Sequence, residues 1–160
     1  MPQATKRKIS SKDVYDWIRT KISTRNSKTR KAICPYAKAT LETEAIQVVH
    51  GKPNLVDQIN HCCNLLNTFA LDCIIILIQH KITEAQLSKV CKTAQIKNPY
   101  RAIMYDHPTN DGKHCGVSFS FGKAPLIMIQ DLAKLKKMQK IYKAQGWYDA
   151  WNIKDTSQFY

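Results

Sequence analysis

The side chains best placed for chemistry stand in three short stretches, "ICPYAK", "YDHPTNDGKHCG" and "SFGKAPL". Each falls where a secondary-structure element is expected to end, and a rigid scaffold can aim groups on such loops. In the first, Cys34 precedes Pro35, which removes one amide donor and fixes a backbone angle. A cysteine just ahead of a helix has its thiolate stabilised by the field of the helix N-terminus, and Lys31 and Lys38 act in the same direction. The thiolate is the species that a nucleophilic, redox or metal-binding cysteine requires, so Cys34 is the candidate nucleophile or redox centre. The competing reading is an inert buried thiol, since Cys62, Cys63, Cys73, Cys91 and Cys115 are also present and free cysteine packs as a small hydrophobe.

His107 is the natural partner of that thiol. It ends a predicted strand before Pro108, and an imidazole there can serve as acid or base at neutral pH. Asp106 and Asp111 are placed to orient it. His114 follows closely, and His107, His114 and Cys34 together form a candidate set for a divalent metal with an open position. In the alternative arrangement His114 and Asp111 bind substrate beside Lys123, which follows a glycine in a loop suited to an anionic ligand and reads equally as a surface lysine. Ser118 and Ser120 lack the G-x-S-x-G surroundings of a serine hydrolase. No phosphate-cradling loop or dinucleotide fingerprint occurs, which leaves the cofactor unknown. No C-x-x-C pair occurs either, and adjacent Cys62 and Cys63 diverge on a helix, which argues against a four-cysteine zinc site.

The elements that must position these residues follow from periodicity and capping. Ser10 or Ser11 with Asp13 starts a helix over about residues 11–22 on which Val14, Trp17, Ile18 and Ile22 recur. A basic loop over 23–31 then delivers the chain to Cys34. "ETEAIQVV" (42–49) reads as a strand closed by the "HGKPN" turn, and Asn54 caps a helix with Leu55, Ile59, Cys62, Cys63 and Leu66 on its inner side. "DCIIILI" has the character of a central strand. Thr83 starts a helix carrying Leu87, Val90, Cys91 and Ala94 inward, and "YRAIMYDHP" is a further strand. "TNDGK" (109–113) is a predicted turn leading into "HCGVSFSF", where Cys115, Val117 and Phe119 share one face. "APLIMIQ" is a last strand, and Asp131 caps a helix with Leu132, Leu135, Met138, Ile141 and Tyr142 inward, stopped near Gly146. The aromatic tail "WYDAWNIKDTSQFY" folds back on the core. Helices and strands in this mixed order predict an α/β (α+β) fold, a two-layer sandwich of helices on a small mixed sheet. The 160 residues make one domain, with 1–10 and 152–160 as its flexible ends.

The chain carries 25 Lys or Arg against 12 Asp or Glu, a formal charge of +13, and residues 1–31 hold ten of the cations against Asp13 and Asp16. Such a field attracts nucleic acid, through the basic N-terminal segment, or anionic small molecules. A solubilising lysine face has the same composition, and no aromatic side chains interleave with the basic run as single-strand binding requires. The longest apolar run, Cys73–Ile78, is far shorter than the roughly twenty residues of a membrane span. The N-terminus lacks the apolar stretch of a secretory signal, so six unpaired cysteines fit a reducing, cytoplasmic setting.

Several landmarks resemble the bacterial domain-of-unknown-function family 1415. Its members carry a tryptophan in an early helix, a Cys-Pro-Phe-Ala stretch, a late His-Pro, and an Asn-Arg-Ser-Pro segment before a leucine-rich helix. The similar pieces here are Trp17, then Cys34-Pro35-Tyr36-Ala37, then His107-Pro108, then Gly122-Lys123-Ala124-Pro125 ahead of "LIMIQDLAKL". Lys123 stands where the family has arginine, and Gly122 where it has asparagine. The resemblance implies roles for Cys34 and His107 and names no substrate. Two functions are therefore expected: a small thiol-dependent enzyme with Cys34 as nucleophile or redox centre and His107 as acid or base, or a non-enzymatic basic protein that binds nucleic acid or an acidic partner.

Overall fold

The run Cys73–Leu77 is buried at every position, which a strand achieves only when both faces of its sheet are covered. The computed structural model describes residues 7–110 and 112–153. In chain order its elements are α1 (Ser11–Trp17), which runs on as a π-helical turn (Ile18–Ile22), α2 (Pro35–Glu42), β1 (Ile46–His50), α3 (Leu55–Thr68), β2 (Cys73–Leu77), α4 (Glu84–Lys97), β3 (Arg101–Asp106), β4 (Lys113–His114), β5 (Val117–Ser118), β6 (Leu126–Asp131), α5 (Leu132–Ala144) and α6 (Trp147–Ala150). The main sheet has the order β1-β2-β6-β3, with β1 and β2 parallel and β6 antiparallel to both of its neighbours. β4 and β5 form a separate hairpin.

Alternation along β2 divides the core in two. Cys73, Ile75 and Leu77 pack with Val14, Ile18, Ile33 and Trp151 on one face. Ile74, Ile76 and Ile78 pack with Ile59 and Leu66 of α3 and Leu87, Cys91 and Ala94 of α4 on the other. The protein is thus α+β with helices on a small mixed sheet, and helices cover both faces, one layer more than the expected sandwich. A strand without a polar face requires this second cover.

The predicted caps hold the helices that flank the sheet. Asn54 Oδ1 accepts from the Asp57 amide at 3.3 Å. Thr83 and Gln86 exchange hydrogen bonds of 3.2 and 2.8 Å at the start of α4, and Asp131 accepts from the Lys134 amide at 2.9 Å at the start of α5. Each cap contributes about 1 kcal/mol. Asp131 also pairs with buried Arg101 at 2.7 Å, whose other nitrogen donates to the Cys63 carbonyl at 3.1 Å. One carboxylate therefore joins β3, β6, α3 and α5.

Three local expectations change. The strand predicted over 42–49 begins at Ile46, because α2 continues to Glu42 and Glu44 takes a left-handed φ of 55°. The predicted strand 114–121 is broken by a turn at Cys115 and Gly116, both left-handed at φ 49° and 73°; this is the backbone of a two-residue hairpin turn, which glycine at its second position favours. Ile141, expected inward, is 41 % exposed, and α5 buries no residue fully.

Replacing Asp131 with alanine removes a cap and leaves the Arg101 guanidinium buried without its counter-charge. The expected loss is about 3 kcal/mol in urea unfolding, with Asp131→Asn losing less because it keeps the cap acceptor. A loss under about 1 kcal/mol for the alanine variant would contradict this role.

Candidate functional site

The apolar side of α5 stands away from the sheet, and the gap is a chamber of about 850 Å³. Its floor is the sheet face that carries Cys73, Ile75, Met104, Met128 and Gln130. Leu135, Met138, Gln139 and Tyr142 of α5 form one wall, Trp147 and Tyr148 of α6 another, and Trp17, Ile22 and the Cys34–Ala37 turn close the opposite side. Both ends of α5 are tied down: Lys134 Nζ meets Asp72 at 2.9 Å near its start, and Gly146, at φ 72°, turns the chain into α6 beyond its end. The indoles of Trp147 and Trp151 then both donate to the carbonyl of Ala32, at 2.8 and 3.1 Å. This fastens the C-terminal wall to the loop that presents Cys34.

Cys34 is the N-cap residue of α2 with Pro35 in the first helical turn, as expected. Its environment is not the one that activates a thiol. The accessible part of the residue faces the chamber, so it is ringed by protein, and burial pushes the thiol up; the nearby amides of Ala37 and Tyr36 pull down more weakly. Lys31 and Lys38 are not part of the chamber wall. The neighbouring groups behave alike. Burial pushes Cys73 up to about 12 and Tyr142 up to about 12, and it raises Tyr36 and Tyr148. At neutral pH these five wall groups are all protonated and uncharged.

His107 lies on the other face of the sheet. β3 directs Met104 into the chamber and Ile103 and Tyr105 against the α3–α4 core. His107 continues the second set: its Nε2 donates to the Ile82 carbonyl at 3.0 Å, while its Nδ1 accepts from the Thr109 amide at 3.2 Å and lies 2.7 Å from the Thr109 hydroxyl. Both ring nitrogens are engaged, Nε2 joining the end of β3 to the loop before α4 and Nδ1 holding the turn that follows β3. Asp106 does not orient it, but accepts from the Phe121 amide at 2.7 Å and the Ser120 hydroxyl at 3.1 Å. Asp111 lies outside the described residues.

His114 is the predicted site residue that the fold does bring to Cys34's chamber, where its Nε2 contacts the Trp151 carbonyl. Lys123 is exposed, with its ammonium 5.9 Å from the centre of the Phe121 ring. Among the described residues no three His, Cys, Asp or Glu side chains assemble as a metal-ligand set, and the trio Cys34, His107 and His114 is divided between the two faces. Neither the three methionines of the chamber nor Tyr142 and Trp147 stood out as site residues in the sequence. The helical stripe Leu135, Met138 and Tyr142 was the available signal, and it reads as core.

Comparison with protein-family models, curated proteins and solved structures finds no match to this chain. Among the described residues no helix is long and apolar enough to cross a membrane.

In the native protein at neutral pH, iodoacetamide should modify exposed Cys115 well before Cys34. Peptide mapping that finds Cys34 alkylated first would restore an activated thiolate. The buried thiols also set an alkaline limit. Cys63 is pushed up to about 11, and Cys73 and Cys91 up to about 12, from an ordinary 9.0. Above pH 9.0 the unfolded chain releases protons that the folded chain holds, so stability is full below that pH and falls as pH rises toward the folded values. Urea midpoints under reductant should drop as pH rises from 9.0 toward about 11, each thiol contributing roughly 1 kcal/mol, and Cys91→Ala should reduce the slope. An unchanged slope in that variant would contradict the account.

Proposed function

We propose that this protein binds one small, mainly apolar molecule in the chamber between α5 and the sheet. The observation that carries the reading is a cavity of about 850 Å³ lined mainly by apolar side chains, with the indole of Trp17 and the amide of Gln139 beside them. The indole has no acceptor among the described residues, and Gln139, close to the Tyr148 hydroxyl, leaves its Nε2 without a well-formed hydrogen bond.

The volume falls within the roughly 300–1,000 Å³ of pockets that take drug-sized molecules. Met104, Met128 and Met138 give the walls unbranched thioethers, which reshape around irregular ligands at little cost. The protonated thiols and phenols add no charge, which suits an apolar body and disfavours a buried ion. These features support binding over thiol catalysis, which needs a thiolate and a base within reach of it. A nucleic-acid or acidic-partner role draws on net charge alone.

Phenylnaphthylamine, a neutral probe that fluoresces in apolar surroundings, should bind with one-to-one stoichiometry. Met138→Trp, which fills the chamber, should weaken it at least tenfold, roughly the effect of losing one buried aromatic contact. Ile141→Trp, on the exposed side of the same helix, should not. Equal affinities in the three folded proteins, or no binding to the wild type, would overturn the reading.

A further inference from the structure

Beside the chamber lies a second, open cavity of about 300 Å³, which shares Tyr142 and Trp147 with it and is lined by Arg25, Arg30, Lys31 and Lys38. No carboxylate is among its lining residues. Lys38 Nζ reaches Glu42 only at 3.9 Å on the surface, and Lys31 Nζ lies 3.4 Å from the Gln145 carbonyl at the end of α5. Among the described residues, no acidic side chain pairs with Arg25 or Arg30.

These cations sit on a built turn. Arg25 bridges to Ala32 across it, the Asn26 amide donates to the Lys31 carbonyl at 3.0 Å, and the Arg30 amide donates to the Asn26 carbonyl at 2.8 Å with Arg30 left-handed at φ 58°. The next carbonyl, that of Ala32, is the acceptor of both indoles. The cationic turn and the chamber wall are therefore joined through one carbonyl, and the turn gathers exposed like charges whose mutual repulsion a bound anion would relieve.

We propose that the chamber's ligand is an amphiphile whose anionic end, a carboxylate, sulfonate or phosphate group, is seated by Arg25 and Arg30. This rests on the chamber reading and gives its ligand a chemical class. The apolar body passes Tyr142 and Trp147 into the neutral chamber, and the charge stays at the partly solvated cationic mouth. Guanidinium groups suit such a seat because their paired donors match two oxygens of one anion.

The test compares two probes that differ by one charge, neutral phenylnaphthylamine and anilinonaphthalene sulfonate. The sulfonate should bind about tenfold more tightly, the usual worth of a charged hydrogen-bonding partner. That advantage should shrink as salt shortens the screening length below about 10 Å. Arg25→Gln with Arg30→Gln should abolish the advantage and leave the neutral probe's affinity unchanged, which also reports an intact fold. If the neutral probe binds and the sulfonate binds no more tightly, the anion seat fails while the chamber stands. If neither binds, the chamber reading itself fails. Sedimentation with phosphatidylglycerol vesicles, lost in the double variant while the wild type binds both probes alike, would assign the cations to a lipid surface and overturn the seat.

Discussion

One carbonyl holds the candidate site together. The Ala32 oxygen accepts from the indoles of Trp147 and Trp151, so α6 with the residue after it and the loop ahead of Cys34 share one half-buried anchor. Trp151 is fully buried behind that bond, and the edge of its ring meets Phe119 of the segment after the hairpin with centroids 5.3 Å apart. The anchor works with the contacts of His114 and Cys115 at the Trp151 carbonyl and with the core packing of Trp151 to hold α6 in place beyond the end of α5. A cavity of this size otherwise costs stability in proportion to its volume. It persists here because α5 is fastened at its start by Asp131 and Lys134 and beyond its end by the tryptophan anchor.

The same arrangement separates charge from apolar surface over a short distance. Inside, thiols and phenols are kept protonated by burial, and the methionines add soft, uncharged surface. Outside, the turn that carries the Ala32 anchor also carries Arg25, Arg30 and Lys31. The electrostatics that discourage a thiolate at Cys34 thus favour an uncharged ligand body, and the cations that were expected to activate the thiol face a different cavity. Charge and sulfur are near each other in the chain and functionally separate in space.

Much of the scaffold was legible from residue types. Asn54, Thr83 and Asp131 cap the helices that they were expected to cap, because a side-chain acceptor three residues before an amide is a local interaction. The buried run of β2 also stood out, since six apolar residues in a row leave no polar face. The turn at Cys115–Gly116 was missed because a strand-like alternation of Cys115, Val117 and Phe119 hid a left-handed pair, and cysteine is not a residue that announces one. His107 was legible as the end of a strand and was expected there as an acid or base. That its Nε2 serves Ile82 depends on a loop twenty-five residues earlier in the chain, which no local pattern encodes.

By itself the sequence determined the α+β class, the order of helices and strands, their caps, and a basic segment next to a Cys-Pro helix start. Tertiary structure alone decided that Cys34 and His107 fall on opposite faces of the sheet, that Cys34 opens into an apolar chamber, and that Arg25 and Arg30 line a separate cavity beside it. The physical reason is that periodicity records which side of an element is apolar, and not how far that side stands from its neighbour. Leu135, Met138 and Tyr142 form the same stripe whether they pack onto a sheet or line a space held open above it.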